Sequence, residues 1–139
     1  MSNKSNTITF VLREKEDAFL NSKYLKEKGI LVEPLPIVSL VYYEPYAFEV
    51  KFDYFVLTSP KAINSLTNFI KNNQQNLSKT IKFFTVGVET KEKLEKALYK
   101  NIFQADGNSK SLKQLIINNT LPHEQGLWVA GKDRSFNLQ

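Results

Sequence analysis

Residues 52–60 read Phe52-Asp53-Tyr54-Phe55-Val56-Leu57-Thr58-Ser59-Pro60, and three signals sit in those nine residues. Tyr54 to Leu57 is a short aromatic and branched apolar run of the kind that forms a strand buried on both faces. Ser59 is a good helix N-cap, and Pro60 suits the first helical position, where a missing N–H costs nothing. The residues that follow place Ile63, Leu66, Thr67 and Ile70 at i, i+3, i+4 and i+7, one stripe of a helix. A buried strand running straight into a helix is half of a parallel βαβ unit.

The pattern repeats downstream. After a polar stretch from Lys71 to Lys79, Ile81 to Val86 reads as a strand and Gly87 opens a helix to Tyr99, with Leu94, Ala97 and Leu98 on its buried stripe. Glu89 with Lys93, and Glu92 with Lys96, are i,i+4 pairs in the favourable orientation. Ile102 to Ala105 is a third strand, with Asn108 or Ser109 capping a helix through Asn118. Leu127 to Ala130 is a fourth, and Gly131 begins a last helix. Alternation of this kind implies a mainly parallel, doubly wound sheet with helices on both faces.

Upstream, Thr7 to Leu12 reads as a buried strand ended by Arg13, then a helix from Glu14 to Lys28 with Ala18, Leu20, Tyr24 and Leu25 near one face. Gly29 stands where a helix end wants a left-handed residue. Ile30 to Leu35 is a second strand, and Pro34 and Pro36 keep the chain extended. Residues 36–44 read as a crossover, which divides the chain into a first strand-helix piece at 1–35 and a second domain at 45–139.

Composition narrows the chemistry. The 139 residues contain no cysteine and one histidine, His123, so disulfides, thiolate-ligated metals and Ser-His-Asp or Cys-His nucleophilic sets are excluded. No GKS- or GKT-type phosphate loop and no GxGxxG is present. His123 reads as a loop residue and Trp128 as core. The net charge of +5 comes from scattered lysines with only two arginines, which suits solubility first, a small acidic ligand second and nucleic acid third. No apolar run is long enough to span a bilayer. A polar start at Met1 to Asn6 and the missing cysteines point to the cytoplasm.

In an open parallel sheet, ligands bind at the carboxyl ends of the strands. Four loops are expected there: Thr58-Ser59-Pro60-Lys61, Gly87-Val88-Glu89-Thr90-Lys91, Gly107-Asn108-Ser109-Lys110 and Gly131-Lys132-Asp133-Arg134. Each pairs a small or capping residue with a lysine near the start of a helix. A cation there opposes the helix macrodipole by a few tenths of a kcal/mol, about 0.3 or more. A bound anion would reverse that sign, because backbone N–H groups and lysines would then face it together.

Taken in order, these loops resemble uroporphyrinogen-III synthase. The family's F-D-x-x-x-x-T-S-P elbow is complete at Phe52 to Pro60, and its V-G-x-x-T turn is Val86-Gly87-Val88-Glu89-Thr90 followed by Leu94. Gly107 with Ser109 to Leu112 matches a glycine loop and S-x-x-L, and Leu127 to Gly131 with Arg134 matches the last strand, glycine and arginine. The opening Thr-Arg-Pro turn is matched only in part, by Val11-Leu12-Arg13-Glu14.

The resemblance implies two flavodoxin-like, doubly wound parallel-sheet domains joined by extended crossovers, with the first domain incomplete in this chain because family members continue and cross back to finish it. It implies a cofactor-free lyase that cyclises hydroxymethylbilane, a tetrapyrrole with eight carboxylates, to uroporphyrinogen III. Loss of the terminal hydroxyl gives an azafulvene. The last pyrrole attacks through its substituted carbon, and the resulting spiro intermediate reopens and recloses with that ring inverted. Thr90 is then the candidate hydroxyl near the departing group. Arg13, Thr58, Ser59, Lys61, Gly87, Lys91, Ser109, Lys110, Lys132 and Arg134 are the candidate substrate contacts. The implied partners are the substrate and either the missing second half or another copy of the chain, with no nucleic acid, membrane or metal. Two other readings fit the same residues: a non-catalytic remnant of that enzyme, and a different flavodoxin-like module for a small anion.

Overall fold

A computed structural model describes residues 7–43, 51–72, 77 and 80–131. The chain divides into two compact units, Met1–Tyr43 and Glu44–Gln139.

The first unit is β1 (Thr9–Glu14), α1 (Lys15–Glu27) and β2 (Val32–Val38), with the two strands paired in parallel from Thr9↔Val32 to Glu14↔Val38. Two sequence expectations change here. The second strand does not stop at Leu35 but runs through both prolines into the segment read as crossover. The Thr9 N–H donates to the Leu31 carbonyl, 2.9 Å. Because backbone groups alternate in direction along a strand, Pro34 and Pro36 then face away from β1, where their missing N–H groups cost no ladder bond.

Nor is β1 buried. Phe10 and Leu12 are 54% and 53% exposed, because α1 covers only the opposite face of the pair, where Val32 lies. The buried stripe of α1 is Ala18 and Ser22, two small residues at i, i+4 that allow close approach, while Leu20 and Tyr24 are exposed rather than inward.

The second unit contains β3 (Tyr54–Leu57), α2 (Ala62–Asn72), β4 (Lys82–Val86), α3 (Val88–Lys96), β5 (Ile102–Ala105), α4 (Ser109–Asn119) and β6 (Gly126–Val129). Its sheet is parallel throughout, in the order β5-β4-β3-β6. Alternate residues of the central strands feed two cores. Phe55, Leu57 and Phe83 meet Ile63, Leu66 and Phe69 of α2 and Leu94 of α3. Val56, Phe84 and Ala105 meet Leu112 of α4 on the other face. Phe55 and Phe83 stack at 5.8 Å between ring centroids, and Phe55 also meets Phe69 edge-on at 6.4 Å. Truncating a fully buried phenylalanine of this kind costs about 3–5 kcal/mol.

Within this unit α3 is shorter than expected. The helix ends at Lys96, so Ala97 and Leu98 leave the buried stripe assigned to them, and Leu98 is 80% exposed. The Tyr99 N–H donates to the Leu94 carbonyl and the Leu98 N–H to the Glu95 carbonyl, a Schellman termination that turns the chain so that Tyr99 packs on Phe83 at 4.7 Å. At the other end of this stretch, α2 starts at Ala62 and not at Pro60. A turn intervenes, in which the Ala62 N–H donates to the Ser59 carbonyl. Trp128 is only partly buried, against the α4-side core. The helix expected after Gly131 lies outside the described residues.

Candidate functional site

With α2 and α3 on one face and α4 on the other, the sheet reverses its winding between β3 and β6. Of the two strands there, β3 leads into α2 on one face, and doubly wound sheets bind ligands outside the carboxyl ends of their strands at such a switch point. The loops at that end of the second unit are Thr58–Lys61 after β3, Gly87 after β4, Asp106–Asn108 after β5, and Ala130–Gly131 after β6.

Each loop prepares a helix start differently. After β3, the Ser59 hydroxyl accepts from the Lys61 N–H at 3.3 Å, and Thr58, Ser59 and Lys61 are all half-buried. After β4, Gly87 is the N-cap of α3 at φ 81°, ψ 148°, a conformation open essentially only to glycine. It brings no side chain to cap the first turn, so the first N–H groups of α3 have no capping side chain. After β5, Asn108 and not Ser109 is the cap: its Oδ1 accepts from the Ser111 N–H at 2.8 Å, and the Ser111 hydroxyl donates to the Asn108 carbonyl at 2.9 Å. Neither α2 nor α4 has an acidic residue in its first turn, and Asp106 stands two residues before the α4 cap.

The expected residues divide accordingly. Thr58, Ser59, Lys61, Gly87, Thr90, Lys91, Ser109 and Lys110 all belong to the carboxyl-end loops or the first helical turns after them. Lys91 pairs with Glu95 at 3.9 Å and Lys93 with Glu89 at 3.4 Å, while Lys110 is exposed. The side chain of Thr90 is only 2% exposed, so it is built into the base of α3. Arg13 belongs to the first unit, where it is exposed and paired with Asp17 at 3.8 Å. Lys132 and Arg134 lie outside the described residues. Among the described residues no group of three or more His, Asp or Glu could hold a metal ion, and no helix is long and apolar enough to cross a membrane.

Sequence reasoning missed a polar cluster at the opposite, amino end of the same sheet. Lys82, the first residue of β4, donates to both carboxylate oxygens of Glu124, each at 2.9 Å, and to the carbonyl of Asn119, the last residue of α4, at 2.8 Å. Glu124 Oε2 also accepts from the Leu121 N–H at 2.8 Å. Beside it, Asp53 accepts from the Gln125 N–H at 2.8 Å, and the Asp53 N–H donates to the Gln125 carbonyl at 2.8 Å. The Lys82 bond and the Leu121 N–H hold Glu124 below the usual carboxylate range. Burial, then the Glu124 and Asp53 charges, push the Tyr54 hydroxyl up. Nothing in the sequence marks a lysine opening a strand as the partner of a glutamate 42 residues later.

The family model of uroporphyrinogen-III synthase HemD matches the chain over residues 21–138. No curated protein matches the chain.

Proposed function

The chain belongs to the uroporphyrinogen-III synthase family, and from that premise we propose that it acts on hydroxymethylbilane, closing it to uroporphyrinogen III with loss of water and inversion of the last pyrrole ring. The observation that carries this reading beyond the family is the row of three helix starts at the carboxyl end of one parallel sheet. Two of them are free of first-turn acids, and the third, opened by a glycine that brings no capping side chain, carries Glu89, paired with Lys93, in its first turn. A ligand with many carboxylates matches the α3 start best, because its first N–H groups have no capping side chain, whereas Lys61, Ala62 and Ile63 at the α2 start and Ser111 at the α4 start already donate to other groups.

In this reading β1 to β2 opens one domain, the chain crosses over after Val38, and 45–139 form the second domain. Thr58, Ser59, Gly87 and Ser109 present backbone groups. Lys61, Lys91, Lys110, Lys132 and Arg134 add attraction over a Debye length. The reaction asks chiefly for orientation: the terminal hydroxyl leaves as water, and the electron-poor azafulvene carbon is attacked by the substituted carbon of the last ring. The spiro carbon breaks its older bond to give a second azafulvene, and the free carbon of the last ring closes on it and loses its proton. Holding the carboxylates fixes which carbon attacks, which is an entropic contribution that needs no histidine or cysteine. Thr90 is the proposed hydroxyl near the departing water. Its burial gives it a packing role as well, so a variant that keeps its shape is needed to separate the two.

The test is a product assay with hydroxymethylbilane generated in place and the macrocycle isomers separated. The expected result is isomer III above the spontaneous background. Isomer I alone would overturn the catalytic reading and favour a non-catalytic relative, and no affinity for the tetrapyrrole would favour a module for another anion.

A further inference from the structure

We propose that Lys82 is a positioning residue that latches β6 into the sheet from its amino end, and so sets the place of the Ala130–Gly131 loop at the ligand end. The inference rests on the reading above only where it treats that loop as part of the carboxylate site.

Within the described sheet β6 is an edge strand, paired along one side to β3. It has four residues, so its ladder alone is short. Three contacts hold its entry. The Lys82–Glu124 pair ties the turn before β6 to the start of β4. Asp53 exchanges two bonds with Gln125. Gly126 lies under the Tyr54 ring, where any Cβ would overlap the ring atoms.

Lys82 is the member that joins separate elements. It also bonds the Asn119 carbonyl, and α4 has no basic residue of its own in its last turn, so Lys82 supplies the cation that this helix end favours. One ammonium therefore ties the start of β4, the end of α4 and the entry to β6. The loop that β6 delivers is four residues, roughly 13 Å, further along the strand. A short strand fixed at one end carries its other end with it, so releasing the latch should loosen the loop without touching it.

Amide exchange and equilibrium binding of uroporphyrin, a stable octacarboxylate tetrapyrrole, test this on the full chain. Lys82→Met should lower protection of Leu127–Gly131 about tenfold or more, while Phe55–Leu57 and Phe83–Thr85 change far less. It should also weaken uroporphyrin binding several-fold. Lys82→Arg, which keeps the cation, should restore both. Glu124→Gln serves as the milder variant if Lys82→Met fails to fold, and should shift both readouts in the same direction. Unchanged protection of β6, or an equal loss in every strand, would overturn the latch. Loosened β6 with unaltered uroporphyrin affinity would overturn the positioning role. A wild-type chain that does not bind uroporphyrin would instead count against the carboxylate reading, and the exchange pattern would still decide the latch.

Discussion

Gly29 and Leu98 occupy equivalent places in two helix endings. Each has the same pair of backbone bonds closing the last turn, and each has positive φ, 78° and 66°. Only one of them is a glycine. A leucine in that conformation costs about 1–2 kcal/mol, and Leu98 recovers little of it by packing because its side chain is exposed. Leu98→Gly should therefore raise thermal stability, by about 0.5–1 kcal/mol after the greater flexibility of unfolded glycine is counted, in calorimetry or denaturant melts. Periodicity extended α3 through Leu98 because apolar residues at helical spacing look alike whether a helix continues or turns. The deciding contact, Tyr99 on Phe83, joins residues far apart in sequence. A second residue-scale expectation concerns Glu124. Its folded-state ionisation is held below the ordinary carboxylate range, so its contribution is present above the unfolded value and is lost as pH falls through the lower folded one. Acid melts should show wild type losing stability in that range, and Glu124→Gln losing less over the same interval while being weaker at neutral pH.

At the scale of elements, β3 and β5 were legible to the residue. β3 is a four-residue apolar run and β5 is one interrupted only by Gln104, each bounded by turn-forming or polar residues, so length and boundary agree. β2 was not, since two prolines in a strand argue against one unless its outer edge is known to be free. The loops after β3, β4 and β5 were also legible, as small residues between strand and helix. Their order in space was not. That β6 returns to lie beside β3 is a long-range pairing, and it alone locates the switch point. Two predictions belong here. Thr90→Val, which removes a hydroxyl while keeping the shape at the base of α3, should lower turnover about tenfold, or 1.4 kcal/mol on the barrier, with the melting temperature little changed. If the melting temperature falls and the rate holds, Thr90 is packing alone. Lys91→Gln with Lys110→Gln should weaken uroporphyrin binding and flatten its salt dependence, measured by titration at two ionic strengths. Salt-independent binding unaffected by the change would remove these helix starts from the site.

On the scale of the whole molecule, the two units differ in how well they are covered. The second unit sandwiches its central strands between two cores. The first leaves Phe10, Leu12, Leu35 and Ile37 exposed on its strands, and Phe19, Leu20 and Tyr24 on its helix. Parallel sheets are ordinarily covered on both faces, and apolar area on this scale drives association. Light scattering should therefore show concentration-dependent self-association, reduced by Phe10→Lys with Leu12→Glu. A chain that stays monomeric and keeps β1 amides strongly protected would mean that its own segments close over these residues.

Pro34 and Pro36 give that association a direction. Before the register shift that pairs Glu14 with Val38, the outward backbone positions of β2 are Val32, Pro34 and Pro36, so two of three hydrogen-bond donors are missing from that margin. The outer side of β1 has no proline. Growth of this small sheet is thus one-sided: a newcomer strand finds a complete row of donors only beside β1, and the β2 margin terminates the array. Two copies could add to each other at most once through their β1 margins before only proline-studded margins remained, which turns an open-ended stacking hazard into a closed pair.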